Sequence, residues 1–260
     1  MANRPTKAPA HLFHGHPLGK LAARHDARTL MLAHYTTPKL APPPESVDWS
    51  KKAKAWPGYW NDTLADCTVA AAAHQIEAWT SQSGKAVTLD DKPVLKAYED
   101  VSGWNPKTGK NADAGAVVLD VLKYWRRTGI GGHKIVGFTA IEPGNHAHVK
   151  QSVALFGGCY LGLLLPASAK GQKMWTLTPG GKHGPGAPGS WGGHAVNVVG
   201  YDREALTVVS WGALLRMTWT FWDAYCDEAY ALVSRDFIGK GTKAPSGLDL
   251  KQMINDLGGL

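Results

Sequence analysis

Apolar and polar positions change rhythm twice along this chain. From Asp66 to Ser81 small and apolar residues recur at helical spacing: Cys67, Ala70, Ala71, His74, Ile76 and Ala78. This predicts a helix, with Asp66 placed to cap it. Val94–Val101 and Ala116–Arg127 predict two more helices, separated by a loop over Ser102–Asn111. Beyond residue 150 the pattern becomes that of strands. Cys159–Leu165 is a continuous apolar run stopped by Pro166, as expected of a buried strand. Ala195–Gly200 and Leu206–Ser210 predict two strands joined by a turn at Asp202–Glu204, and Thr218–Trp222 and Glu228–Val233 are expected to extend the sheet.

The two ends differ from this body. Residues 1–41 are rich in Pro and His, and proline breaks the chain at Pro38 and Pro42–Pro44. Between them Leu18–Tyr35 has mixed helical character, with Leu21, Leu30, Leu32 and Tyr35 available to a partner surface. At the other end Ser246 is placed to cap a short helix. Its Leu250, Met253, Ile254 and Leu257 form one apolar stripe that suits packing on the body or a neighbour. Thr178–Ser190 is a Gly- and Pro-rich loop just ahead of His194, where a loop can gate a cleft. No period indicates internal repeats.

Charge sharpens the division. The formal net charge is +7, yet up to Lys54 there are nine Lys and Arg against three Asp and Glu. Most of the excess therefore sits in the first fifth, and the remainder is nearly neutral. A basic arm can bind nucleic acid or an acidic protein face. No zinc finger, RNA-binding aromatic motif or helix-turn-helix accompanies it, so nucleic acid is only weakly supported as a partner. Three cysteines, Cys67, Cys159 and Cys226, make no disulfide framework. Cys159 and Cys226 lie in apolar strand contexts and are expected to be inert. His11, His14 and His16 lack the Cys, Asp or Glu neighbours that would complete a metal site, so no metal or cofactor is expected. Neither a signal peptide nor a membrane-length apolar run is evident. A cytoplasmic or particle-associated protein is expected.

The candidate chemistry sits where the two rhythms meet. Cys67 opens the first helix and His194 opens a strand, with Asn61 six residues before the cysteine. A thiol in the first turn of a helix faces the positive end of its dipole, which favours the thiolate. Paired with an imidazole, it forms the nucleophile and base of acyl transfer. These residues resemble the papain-like cysteine peptidases, and so do further segments in the same order. They are Pro44–Trp49, Gly115–Ile130, Ile141–Asn145, and His194-Ala-Val followed by Val199–Tyr201 and Ser210–Gly212.

The resemblance implies an α+β, two-lobed papain-like fold. A helical lobe of about 42–135, carrying the Cys helix, would pack on an antiparallel β lobe of about 136–235 carrying the His. Residues 1–41 would be a basic arm or a short pro-segment-like extension, and 236–260 a tail with an amphipathic helix. It also implies roles: Cys67 as nucleophile, His194 as base, and Asn61 with the Cys67 amide as oxyanion donors. Gly115 and Gly193 would present backbone to a peptide or protein substrate, and Trp211 would cover the histidine. The family's third residue is an Asn. Counting forward from His194 puts that position on Ser210, and counting back from Trp211-Gly212 puts it on Val209; only the serine can accept from the imidazole. In the family Gly-Ser precedes the cysteine, whereas here Asp66 does, and a carboxylate aimed at the sulfur disfavours its ionisation. The expected function is hydrolysis or acyl transfer at a peptide or amide bond. The alternative is an inactive papain-like protein with a structural, assembly or binding role, such as a phage or particle component. It would self-associate through the arm and the C-terminal helix.

Overall fold

The structure, a computed structural model, describes residues 15–36, 40–108, 112–238 and 250–258. Its first half supplies three helices, α1 (Cys67–Gln82), α2 (Asp91–Ser102) and α3 (Val118–Arg127). The second half supplies most of the strands: β2 (Ile135–Ile141), β3 (Cys159–Leu165), β4 (Met174–Trp175), β5 (Gly192–Tyr201), β6 (Ala205–Ser210), β7 (Ala213–Thr218) and β8 (Cys226–Ser234). The short β1 (Val47–Asp48) pairs with β5 from outside. The sheet runs β2-β8-β3-β5-β6-β7-β4 and is antiparallel except at β4–β7. α4 (His146–Phe156), α5 (Trp219–Tyr225), α6 (Arg235–Ile238) and α7 (Leu250–Gly258) complete the chain.

Residue type explains each element. α1 is buried on every side from Cys67 to Ser81, and the run Ala70–Ala73 lets neighbours come close all round. α2 and α3 bury single stripes, Val94, Ala97 and Tyr98 on one and Val118, Leu119, Val121, Leu122 and Trp125 on the other. With α1 they form one core, closed by Tyr160, Ala195 and Tyr230 from the sheet. A second core gathers the other parts of the sheet with α4, α5 and α7. β5 contributes to both, so it lies at the seam between helical and sheet halves.

Two expected elements change. Thr218–Trp222 is not a strand. β7 ends at Thr218, whose hydroxyl accepts from the Phe221 N–H at 3.2 Å and caps α5. Leu18–Tyr35 is not helical either, apart from one 3-10 turn at Leu32–His34. This segment runs as a strap: Lys20 bridges Ala116 in parallel and Met31 bridges Ala140. Leu32 and Tyr35 are buried in the sheet-side core, whereas Leu21 is exposed. Tertiary pairing with two separate edges, rather than a periodic face, explains its apolar residues. The C-terminal stripe packs on the body, with Leu250, Met253 and Leu257 buried and the Tyr35 hydroxyl bonded to Asp256 at 2.8 Å. The proposed caps and breaks at Ser246 and Pro38, and the loop end at residues 109–111, lie outside the described residues, as do His11 and His14.

Inside α1, Glu77 is buried and hydrogen-bonded by the Tyr59 hydroxyl. Burial pushes its carboxyl up to about 8. A carboxyl raised in the fold adds stability that is complete below its unfolded pKa and is lost as pH rises through the folded value. Thermal melts of the whole chain should therefore fall between pH 4.5 and about 8 by an amount traceable to this group. Glu77→Gln should flatten that slope, a difference on the order of 1–3 kcal/mol at the alkaline end. An unchanged slope in the variant would assign the loss to other groups.

Candidate active site

Cys67 is the first residue of α1 and is buried. The turn before it is unusual, because Tyr59 and Trp60 both take positive φ, 52° and 67°. Bulky residues avoid that region, and such strain clusters at functional sites. It brings Asn61 inward, where its amide donates to the Leu64 carbonyl at 3.4 Å. The Asn61 amide also lies against Asp66 and lowers its carboxyl pKa. Burial dominates and holds that carboxyl well above the usual range. Asp66 does not cap α1 through its side chain, contrary to expectation; both carboxylate oxygens are buried without a hydrogen-bond partner among the described residues.

His194 lies on β5 and is fully buried. Its Nε2 is 2.9 Å from Ser210 Oγ. Ser210 ends β6, and the following Trp211 and Gly212 both have positive φ, 47° and 72°, which is the geometry of a tight hairpin turn into β7. That turn lays the Trp211 ring flat on His194, with centroids 4.2 Å apart and planes 16° apart. Trp175 meets His194 edge-on, and Trp191 stacks on Trp211. Of the two candidate third residues, Ser210 touches the imidazole. Val209 is buried with Val199 and Ala78.

The lobes meet here: the backbone of Ala195, next to His194, comes near enough to the Cys67 sulfur to lower its pKa. The backbone of Gly19 in the strap acts on the sulfur in the same direction. The strap fills the groove over the cysteine. Lys20 N–H donates to the Gly193 carbonyl at 3.0 Å, the Gly19 carbonyl accepts from Ala116 N–H at 2.8 Å, and Leu21 N–H donates to the Ala116 carbonyl at 3.0 Å. Glycine permits these approaches: a Cβ on Gly19 would overlap the Ala65 carbonyl, one on Gly115 the Gly19 carbonyl, and one on Gly193 the Lys20 carbonyl. Gly115 thus provides clearance, while the backbone that pairs with the extended segment belongs to Ala116. The loop at 178–190 is held at its middle by the Tyr225 hydroxyl, which donates to Gly186 at 2.8 Å.

Covering the groove decides the protonation states. Desolvation pushes the Cys67 thiol up to about 12, in spite of these two backbone groups and the Lys20 charge. The expectation that the helix dipole favours a thiolate is overturned for this arrangement, since burial outweighs it. Desolvation, with the positive field of His16 behind it, pushes His194 down to about 3. Its Nδ1 is buried without a hydrogen-bond partner among the described residues, so no hydrogen bond joins it to Cys67. Thiol and imidazole are both neutral here. Cys159 is likewise pushed up by burial, to about 12, and Cys226 well above the thiol range. All three cysteines are free.

A two-lobed body, with a cysteine opening the central helix and a histidine on the facing sheet, matches solved structures across most of its length. The chain has a papain-like fold. Xylellain, a cysteine protease from Xylella fastidiosa, is similar over 90% of this chain and 99% of its own, with a TM-score of 0.61 and 15% identity. A cysteine protease from Carica candamarcensis is similar over 74% of this chain and 99% of its own, with a TM-score of 0.52 and 14% identity. Digestive procathepsin L 3 of Tenebrio molitor is similar over 79% of this chain and 76% of its own, with a TM-score of 0.54 and 13% identity. No protein-family model and no curated protein sequence matches the chain. At such identities the likeness is one of fold.

Several residues of this papain-like groove were not singled out from the sequence: Gly19 and Lys20 of the strap, Trp175 and Trp191, and the neighbouring Asp227 and Glu228. Trp-rich spacing near His194 was the available signal for the aromatic wall. Nothing local marked Lys20. Among the described residues the basic arm is largely neutralised: Lys20 pairs with Asp227 and Glu228, Arg24 with Asp120, and Arg28 with Asp26. No helix among them is long and apolar enough to cross a membrane.

Proposed function

We propose that this protein is a cysteine hydrolase of peptide or amide bonds whose groove is closed by its own residues 16–21. The observation that carries the reading is the buried His194–Ser210 bond, which occupies Nε2 and leaves Nδ1 without a hydrogen-bond partner among the described residues. With Ser210 Oγ accepting from Nε2–H, the lone pair sits on Nδ1. Once the strap leaves, water reaches the groove and the penalties on both charges fall. Nδ1 then takes the Cys67 proton, and the thiolate attacks the substrate carbonyl. The Cys67 N–H, and the Asn61 amide once it turns from the Leu64 carbonyl, would receive the oxyanion. The imidazolium returns its proton to the leaving amine. Water, activated by the same nitrogen, releases the acid product and restores the thiol.

Casein hydrolysis by the full chain carrying Gly19→Val, set against Gly19→Val/Cys67→Ala, tests this reading. Activity in the first and none in the second is expected. Activity in neither favours the inactive, structural reading, which the neutral pair and the absent Asn also suit.

Ser210 makes a graded prediction. Ser210→Ala removes the bond that orients the imidazole and fixes its tautomer. In a Gly19→Val background kcat should fall roughly 10-fold with KM little changed, given the size of one orienting hydrogen bond. Ser210→Asn, which restores an amide acceptor, should recover part of the loss. Equal kcat in all three chains would remove Ser210 from the site.

A further inference from the structure

The Lys20 side chain enters a pocket that is built for a cation. Its ammonium is fully buried, 2.7 Å from Asp227 Oδ2 and 3.1 Å from Glu228 Oε1. The Leu21 carbonyl accepts a further bond at 3.3 Å. Glu228 is itself buried, and its second oxygen accepts from the Tyr230 hydroxyl at 3.0 Å. The stem passes over Gly162, where a Cβ would overlap Lys20 Cε and Glu228 Cγ. A glycine floor, two carboxylates and an orienting phenol therefore leave room for one long basic side chain. Burying the Glu228 carboxylate beside a half-buried Asp227 is costly unless a cation joins them. The pocket belongs to the groove: the residue before Lys20 lies over the Cys67 sulfur, and Lys20 itself bonds Gly193, next to His194.

We infer that Asp227 and Glu228 form a specificity pocket for a Lys or Arg side chain of the substrate, and that Lys20 holds it only while the strap is seated. The occupied residue neighbours the one above the sulfur. A substrate would therefore present its basic side chain next to the residue whose carbonyl Cys67 attacks. This inference rests on the hydrolase reading for the word substrate, and on the pocket alone for the cation.

Two measurements separate those parts. Lys20→Ala, in the otherwise whole chain, leaves the carboxylates facing a lysine-sized gap. n-Butylammonium should raise its melting temperature saturably at millimolar concentration. It should not do so for the wild-type chain or for Lys20→Ala/Glu228→Gln, and n-pentanol should have no such effect. If Lys20→Ala does not fold, Gly19→Val serves, because its Lys20 leaves with the strap. The second measurement is a panel of fluorogenic peptides on Gly19→Val, with Lys, Arg, Leu or Phe on either side of the residue at the scissile carbonyl. A kcat/KM at least about 10-fold higher for Lys or Arg, lost in Gly19→Val/Glu228→Gln, is expected from one buried ion pair. Amine binding with no peptide cleaved supports the pocket and removes the hydrolase reading. Cleavage that prefers apolar neighbours and ignores Glu228→Gln, or no amine effect in either variant, overturns the pocket.

Discussion

Gly19→Val should raise the rate at which iodoacetamide labels Cys67 at pH 7 by roughly 10³-fold over the wild-type chain, on thiolate fraction alone. In the wild type the thiol is pushed up to about 12 by burial, so the thiolate is vanishingly rare. A side chain at Gly19 cannot be seated, because its Cβ would overlap the Ala65 backbone, which has no rotamer to yield. The strap must leave or rise. Removing it restores water to the sulfur and returns the helix N-terminus to its ordinary influence. Cys159 is an internal standard, since it is fully buried and is not among the residues that pair with Gly19, Lys20 and Leu21. Mass spectrometry of the labelled peptides reads both sites in one sample. Lys20→Glu should act in the same direction by setting a third carboxylate against Asp227 and Glu228. Unaltered Cys67 labelling in both variants, with their folds intact by circular dichroism, would dissociate the strap from the thiol's state.

His194→Ala in the Gly19→Val background should return Cys67 labelling at pH 7 towards that of an ordinary thiol and lower peptide hydrolysis by about 10²–10⁴-fold, the usual scale for a lost general base. The two losses have different pH signatures. Labelling should regain its rate as pH rises towards the free thiol value, since hydroxide then does the work of the imidazole. Hydrolysis should not recover in step, because the leaving amine still lacks its proton donor. A flat response of both activities to the substitution would leave His194 a core residue, satisfied by Ser210 and packed under Trp211.

Much of this arrangement can be read from local sequence. The helix from Cys67 and strands β3, β5 and β6 follow from periodicity and turn chemistry, and the order of segments points to the two-lobed fold. What escaped was non-local. β2 escapes because its burial alternates while its residue types do not: apolar Val136, Phe138 and Ala140 take the half-exposed positions. Thr218–Trp222 has strand composition, and only the Thr218 cap reveals the helix. The strap's course is fixed by glycine clearances at Gly19, Gly115 and Gly193, contacts that no periodicity within residues 15–36 encodes. The protonation state of Cys67 differs from the sequence expectation for the same reason. The dipole at α1 is a local property, whereas the desolvation that defeats it is imposed by a segment about 48 residues upstream. Lys20 and Asp227 are 207 residues apart, so their pairing left no local trace.

Because the strap is covalently part of the chain, every incoming molecule competes with a tethered rival. A short tether holds its segment at an effective concentration on the order of millimolar or higher. A peptide that binds the bare groove at micromolar strength would therefore show an apparent affinity weakened by that ratio when offered to the intact chain. Screens run on the whole protein will underrate good ligands, and rank order will be preserved only among those that displace the same contacts. A ligand small enough to reach the sulfur without dislodging Lys20 would escape the penalty altogether.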